Sequence, residues 1–194
     1  MIILGIDPGI ARCGWGVIKT GLPAGKAGTK DEIRAANYGC IQTDSKSSLP
    51  DRLRKIYREL KKIIQEGKPS CLVMEKLFFA QNVKTAIVVG QSQGVILLAA
   101  DDFGIPVFEY TPLQVKQALT GQGRAMKTQV QKMVKLCLNL PVVQGPDDVS
   151  DALAVALCHL HSQNMNHELA RINPSPYPLP QRERIKVRVK QKNL

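Results

Sequence analysis

The 194-residue sequence lacks paired cysteines and long apolar runs and is poor in acidic charge. Its five cysteines (Cys13, Cys40, Cys71, Cys137 and Cys158) are scattered and odd in number, and none form a CxxC pair. This argues against a disulfide framework and predicts reduced thiols in a cytoplasmic protein. No stretch is apolar enough to span a bilayer, and Asp7 interrupts the first apolar run. Neither a membrane helix nor a signal peptide is therefore expected. Only 16 Asp and Glu stand against 27 Lys and Arg, a formal net charge of +11.

Such an excess favours a polyanionic partner, but it is uneven. Residues 171–194 carry seven Lys or Arg and one Glu, while the first 170 residues carry 20 basic and 15 acidic side chains. Prolines at 174, 176, 178 and 180 mark an extended linker, and the basic segment after them has no core pattern. With 44% apolar residues, the chain can bury the core of one domain. Residues 1–165 are expected to form that domain, and 166–194 a Pro-rich basic tail without fixed structure.

The domain is organised around its first residues. Ile2-Ile3-Leu4-Gly5-Ile6, closed by Asp7-Pro8-Gly9, predicts a buried central strand. Gly14–Ile18 and Ala35–Gln42 predict two more strands in an antiparallel meander, separated by a flexible Gly-, Ala- and Lys-rich loop over Thr20–Lys30. Leu53, Ile56, Tyr57, Leu60, Ile63 and Ile64 recur at helical spacing, and Gly67 and Pro69 end that helix. Cys71–Met74 predicts a buried strand ending at Glu75. The helix over 83–100 is apolar on more than one side, with Gly90 and Gly94 leaving a smooth groove. Its pattern fits either a helix sandwiched within one domain or a dimer interface. Ile105–Tyr110 predicts a strand, and Thr111-Pro112 caps the next helix. Gly121-Gln122-Gly123-Arg124 forms a basic loop, Val130–Leu138 a further helix, and Pro146-Asp147-Asp148 opens the last one.

Asp7 and Glu75 each end a predicted central strand. Asp148 and Asp151 share one face at the start of the last helix. Asp7 could simply open a turn, and Asp147 and Asp148 could cap a helix. Neither accounts for Asp151, inside the helix beside an apolar stretch. If that helix crosses the sheet beside the first strand, four carboxylates converge, an arrangement that divalent cations make tolerable. An all-oxygen set favours Mg²⁺ or Mn²⁺. Two such ions could clamp the attacking and leaving oxygens of a phosphodiester.

Gly5-Ile6-Asp7-Pro8-Gly9, Glu75 with Leu77-Phe78, Gln114-Val115-Lys116-Gln117, Lys127 and Asp148-Val149-Ser150-Asp151-Ala152-Leu153-Ala154, taken in order, closely resemble the RuvC family of bacterial Holliday-junction resolvases. The match runs from Met1 to about His161. The resemblance implies an α/β fold of RNase H type. In it, a mixed sheet, a three-strand antiparallel meander extended by helix-linked strands, is flanked by helices. It also implies a homodimer that nicks four-way DNA junctions symmetrically in recombination and repair, leaving 5′-phosphate and 3′-hydroxyl ends. By the same resemblance, Asp7, Glu75, Asp148 and Asp151 are the catalytic carboxylates and hold two Mg²⁺ ions per subunit, Mn²⁺ substituting, with Asp7 bridging both. Phe78 matches an aromatic that stacks on an unpaired base, with core packing as the alternative for both Phe78 and Phe79, one of which is expected to pack. Lys116 and Lys127 match residues that meet the scissile phosphate region, although lysines on helices are ordinarily solvated. Arg124 joins them as a DNA contact. The RuvA-RuvB branch-migration complex is the implied protein partner.

Three other readings compete. Related RNase H-like nucleases process RNA, but Phe78 and the two-sided helix favour the junction. Actin-like kinases share the first-strand Asp-x-Gly but need a second Gly-rich phosphate loop, which the sequence lacks. A catalytically dead DNA-binding module has no use for an acidic cluster, which weakens DNA binding unless metal fills it.

Overall fold

The structure, a computed structural model, describes residues 1–22, 32–76 and 83–172. Strand β1 (Ile2–Asp7) is followed by β2 (Arg12–Leu22), β3 (Glu32–Gln42), helix α1 (Leu49–Gly67) and β4 (Cys71–Glu75). Then come α2 (Val83–Asp101), β5 (Val107–Tyr110), α3 (Pro112–Thr120), α4 (Lys127–Cys137) and α5 (Asp147–Ile172). The strands form one five-stranded sheet in the order β3-β2-β1-β4-β5. β1–β2 and β2–β3 are antiparallel, while β1–β4 and β4–β5 are parallel. This is the expected meander, extended by helix-linked strands. Among the described residues, no helix is long and apolar enough to cross a membrane.

Side chains of β1 and β4 alternate between two cores, as strand pleating requires. Leu4, Ile6, Leu72 and Met74 join Ile56, Leu60 and Ile64 of α1 and Ile96, Ala99 and Ala100 of α2 on one face. Ile3, Cys71 and Val73 join α3, α4 and α5 on the other. By the same alternation, Asp7 and Glu75 fall on the α5 side.

Two glycines let α5 lie directly on the sheet. A Cβ on Gly5 would stand 2.0 Å from the Ala152 carbonyl oxygen, and one on Gly14 would stand 2.0 Å from that of Asp148. Since Gly14 pairs with Asp7 across β1–β2, this contact brings the start of α5 to the end of β1. Val149 and the run Ala152–Leu157 are buried. The helix sandwiched within the domain is thus α5. Helix α2 buries Ser92, Gln93, Ile96, Ala99 and Ala100 but exposes Ile87, Leu97 and Leu98. Among the described residues, apart from the helix's own backbone, nothing lies within 4 Å of where a Gly94 Cβ would sit.

Several boundaries differ from the sequence reading. β2 reaches Leu22 and β3 begins at Glu32, taking in Thr20-Gly21-Leu22 from the expected loop. Ladder pairing, down to Leu22↔Glu32, overrides the glycine-rich composition there. Helix α1 includes Gly67, and Lys68 takes the left-handed cap at φ 45°. β5 starts at Val107, after Pro106, which has no N–H for a ladder. α5 continues to Ile172, so the boundary drawn at 165 falls inside it. Thr111 caps α3 as expected, exchanging bonds with Gln114 in a capping box. The loop at 23–31, Phe78, Phe79 and the tail from 173 lie outside the described residues.

Candidate active site

The ends of β1 and β4 and the start of α5 bring Asp7, Glu75, Asp148 and Asp151 to one cleft. Asp7 is the most perturbed of them. Burial pushes its carboxyl up to about 7, reinforced by the charges of Asp151, Glu75 and Asp148 and opposed by Lys127. Glu75 is also raised, first by burial and then by Asp151, while Lys116 and Lys127 pull it down. These couplings place both lysines beside the carboxylates. A cavity of about 250 Å³ has Glu75, Asp151, Lys116 and Lys127 in its wall, with Val115, Val130 and Val155 beneath. A second, of about 220 Å³, is lined by Asp7, Pro8, Glu75 and Gln93.

Cations already compensate part of the negative charge. Lys127 Nζ stands 2.8 Å from Asp151 Oδ2 and 3.4 Å from Asp147 Oδ2. Burial pulls the lysine down, but its bond to Asp151 and the charges of Asp151 and Asp147 outweigh that, and its pKa is raised. Arg12 Nε lies 3.1 Å from Asp148 Oδ2. That contact is ionic without an aligned hydrogen bond, and Asp148 Oδ2 is buried with no hydrogen-bond partner. The turn that carries Arg12 is pinned from the far end of β3: Thr43 Oγ1 donates to the Ile10 carbonyl, and Thr43 N–H donates to the Ala11 carbonyl at 3.0 Å.

Among the described residues, no group of three His, Cys, Asp or Glu side chains is arranged to hold a metal ion. Asp7 feels the charges of the other three carboxylates and Glu75 that of Asp151, while Arg12 and Lys127 pair with Asp148 and Asp151. The chemistry of the set nevertheless fits a hard divalent cation. All the donors are oxygens, Asp148 Oδ2 is a buried acceptor without a hydrogen-bond donor among the described residues, and Asp7 is a carboxyl held far above its ordinary range by burial first and then by the charges of Asp151, Glu75 and Asp148.

Of the other sequence-predicted residues, Lys116 and Lys127 line one cavity together with Glu75 and Asp151. Arg124 is exposed in the turn between α3 and α4, and no ion pair among the described residues ties it to the carboxylates. Phe78 is among the residues not described. Sequence reasoning missed Arg12 and Gln93. Arg12 had a weak signal, a basic side chain just past the Asp7 turn. Gln93 had none, because nothing in the run Gln91-Ser92-Gln93 marks which of these polar residues faces the sheet.

The chain matches the family model for "Crossover junction endodeoxyribonuclease RuvC" over residues 3–159. It is similar to a protein of that name from Alkaliphilus oremlandii (strain OhILAs), with 51% identity covering 84% of this chain and 95% of the relative. One from Ruminiclostridium cellulolyticum is 50% identical, covering 85% and 95%. Among solved structures, Thermus thermophilus RuvC superposes with a TM-score of 0.76 at 32% identity, covering 86% of this chain and 97% of that one. T. thermophilus RuvC in complex with a Holliday junction substrate gives a TM-score of 0.74 at 31% identity, covering 85% and 96%. The sheet order, the carboxylates at its strand ends and these likenesses lead to one conclusion: the chain belongs to the RuvC family of crossover junction endodeoxyribonucleases.

Proposed function

We propose that this protein resolves four-way DNA junctions by paired, symmetric nicks, hydrolysing phosphodiester bonds to leave 5′-phosphate and 3′-hydroxyl ends. The observation that carries the reading is Asp7. Burial, reinforced by the charges of Asp151, Glu75 and Asp148, holds its carboxyl at about 7, and a bound cation would offset that penalty. Asp7, Glu75, Asp148 and Asp151 are the residues that would hold two Mg²⁺ ions, or Mn²⁺ in their place. Bound there, the ions would polarise the scissile phosphate and ease deprotonation of the attacking water.

The protein's own side chains do the remaining work. Lys116 and Lys127 attract the phosphates flanking the cut, and Lys127 holds Asp151 meanwhile. Arg12 does the same for Asp148. Arg124, exposed on the adjacent turn, adds a backbone contact. Phe78 is assigned the stacking role on an unpaired base at the crossover, from its spacing to Glu75 in the sequence.

A junction with two-fold symmetry suits an enzyme with two-fold symmetry. The open side of α2, with Ile87, Gly94, Leu97 and Leu98, is the face we assign to the homodimer. The RuvA-RuvB branch-migration complex is the proposed protein partner. The test is to incubate the protein with a synthetic four-way junction, a matched duplex and an RNA hairpin, with and without Mg²⁺. Paired nicks in the junction alone, dependent on Mg²⁺, are expected. Equal cleavage of duplex or hairpin would overturn the substrate, and unchanged cleavage in chelator would overturn the cofactor.

A further inference from the structure

Gln93 is 7% exposed on the sheet-facing side of α2. Burying an amide is unfavourable unless it is hydrogen-bonded. Its Nε2 donates to the backbone carbonyl of Glu75 at 3.0 Å. The acceptor is a carbonyl, so only the amide nitrogen can face it, and the orientation of the side chain is settled. Next to it, Ser92 Oγ reaches the Gly9 carbonyl at 3.5 Å, at the outer limit of a hydrogen bond.

The Glu75 carbonyl is available because of Pro8. β1 and β4 pair in parallel with Ile6 opposite Met74. On β4, the N–H groups of Leu72 and Lys76 donate towards β5, to Pro106 at 3.0 Å and Tyr110 at 2.8 Å. Backbone groups of alternate residues point to opposite sides of a strand. Val73 and Glu75 therefore turn theirs towards β1. Continued in the same register, the ladder would have the Glu75 carbonyl accept from the N–H of residue 8. Residue 8 is proline and has no N–H. The ladder thus stops one bond short, at the residue whose side chain is a candidate ligand and beside the cavity that Asp7, Pro8 and Gln93 also line.

We propose that Gln93 is a positioning residue: its side-chain amide supplies the donor that Pro8 lacks, and so fixes the backbone of Glu75 relative to Asp7. The proposal rests on the reading of Asp7 and Glu75 as metal ligands. The same helix presents the face assigned to the dimer, so α2 both docks the partner and sets the spacing of the two catalytic strand ends.

The experiment is a double-mutant cycle in the full chain: parent, Gln93→Leu, Pro8→Ala and the double variant. Gln93→Glu serves as a second test of the same position, keeping the volume but offering only acceptors when ionised. Two quantities are read without DNA: Mn²⁺ affinity by calorimetry, and hydrogen exchange of the backbone amides at Met74–Lys76. Gln93→Leu is expected to weaken Mn²⁺ binding about tenfold, the scale of one lost backbone-directed hydrogen bond, and to speed exchange. In the Pro8→Ala background the alanine N–H takes the Glu75 carbonyl, so the same substitution should cost about twofold or less. Equal losses in both backgrounds would overturn the proposal. So would a lower melting temperature with unchanged Mn²⁺ affinity and unchanged exchange. If the parent binds no Mn²⁺, it is the metal reading of the site that fails. The exchange data then decide on Gln93 alone: faster exchange relieved by Pro8→Ala supports its role, and unchanged exchange refutes it.

Discussion

Asp7 is the residue whose surroundings oppose its charge most strongly. Burial, followed by Asp151, Glu75 and Asp148, raises its pKa from 3.8 to about 7. Between those values the folded chain keeps a proton that the unfolded chain releases, so stability falls as pH rises through that window and stays lower above it. Glu75, raised for the same reasons, acts in the same direction. In chelator, Asp7→Asn is therefore expected to be more stable than the parent at pH 8, by about 2–4 kcal/mol, with the gap closing towards pH 4. Thermal unfolding from pH 4 to 8 checks this, and a gap that does not change with pH would contradict it. Lys116 is tested by salt. Each phosphate contact contributes roughly 0.9 to the log–log slope of binding, so Lys116→Ala should flatten the slope by about that much. An unchanged slope would return Lys116 to the role of a solvated lysine. At this scale the sequence was most legible where chemistry sits at an element's end. Asp7, Glu75, Asp148 and Asp151 could be singled out because acidic groups closing apolar strands or opening an apolar helix are costly. Arg12 could not, because an arginine in a turn is ordinary until its partner is seen. Neither could Gln93, whose reason for being there is a missing N–H on another element.

Two helices carry the site between them. Helix α5 reaches the sheet because Gly5 and Gly14 leave room for its backbone, and this delivers Asp148 and Asp151 to the end of β1. Helix α2 binds the other sheet face through Ile96, Ala99 and Ala100 and leaves its second side open. Gly94 lies on that open side, with nothing among the described residues outside its own helix backbone within 4 Å of where a Cβ would sit. Gly94→Leu should thus be accommodated within one chain yet obstruct close approach of a second. Sedimentation is expected to show a weakened dimer with little change in melting temperature. A dimer as tight as the parent's would remove α2 from the interface. The periodicity of 83–100 could not decide between an internal helix and an interface, since both patterns are apolar on two sides. Burial decides that one side is free, and that α5 is the helix enclosed within the domain. Strand lengths were less legible than strand order. Thr20-Gly21-Leu22 looks like loop by composition and is held in β2 by its partner strand. Left-handed Lys68 likewise ends α1, although Gly67 is the residue that the sequence favours for the position.

For the whole molecule, the order strand, strand, strand, helix, strand, helix, strand already implied a meander continued by parallel strands. The first apolar run is the central strand, as expected. β1 lies between β2 and β4, so the chain's first acidic residue ends the middle of the sheet, where carboxylates from β4 and α5 can reach it. The basic excess does not follow that centre: much of it lies in the last residues of the chain, while the cleft itself balances acid against Lys116, Lys127 and Arg12. Binding and cleavage should consequently separate. On the proposed reading, basic groups and the fold bring the junction in, whereas the carboxylates serve the chemical step. The most direct measurement compares the parent with Asp7→Asn on one synthetic four-way junction in Mg²⁺, scoring bound complex and paired nicks in the same samples. Each ~1.4 kcal/mol of lost transition-state stabilisation is tenfold in rate, so if Asp7 is the metal ligand proposed above, its loss should lower cleavage by several decades. The account predicts that loss with junction binding largely intact. Near-normal cleavage by Asp7→Asn would contradict it.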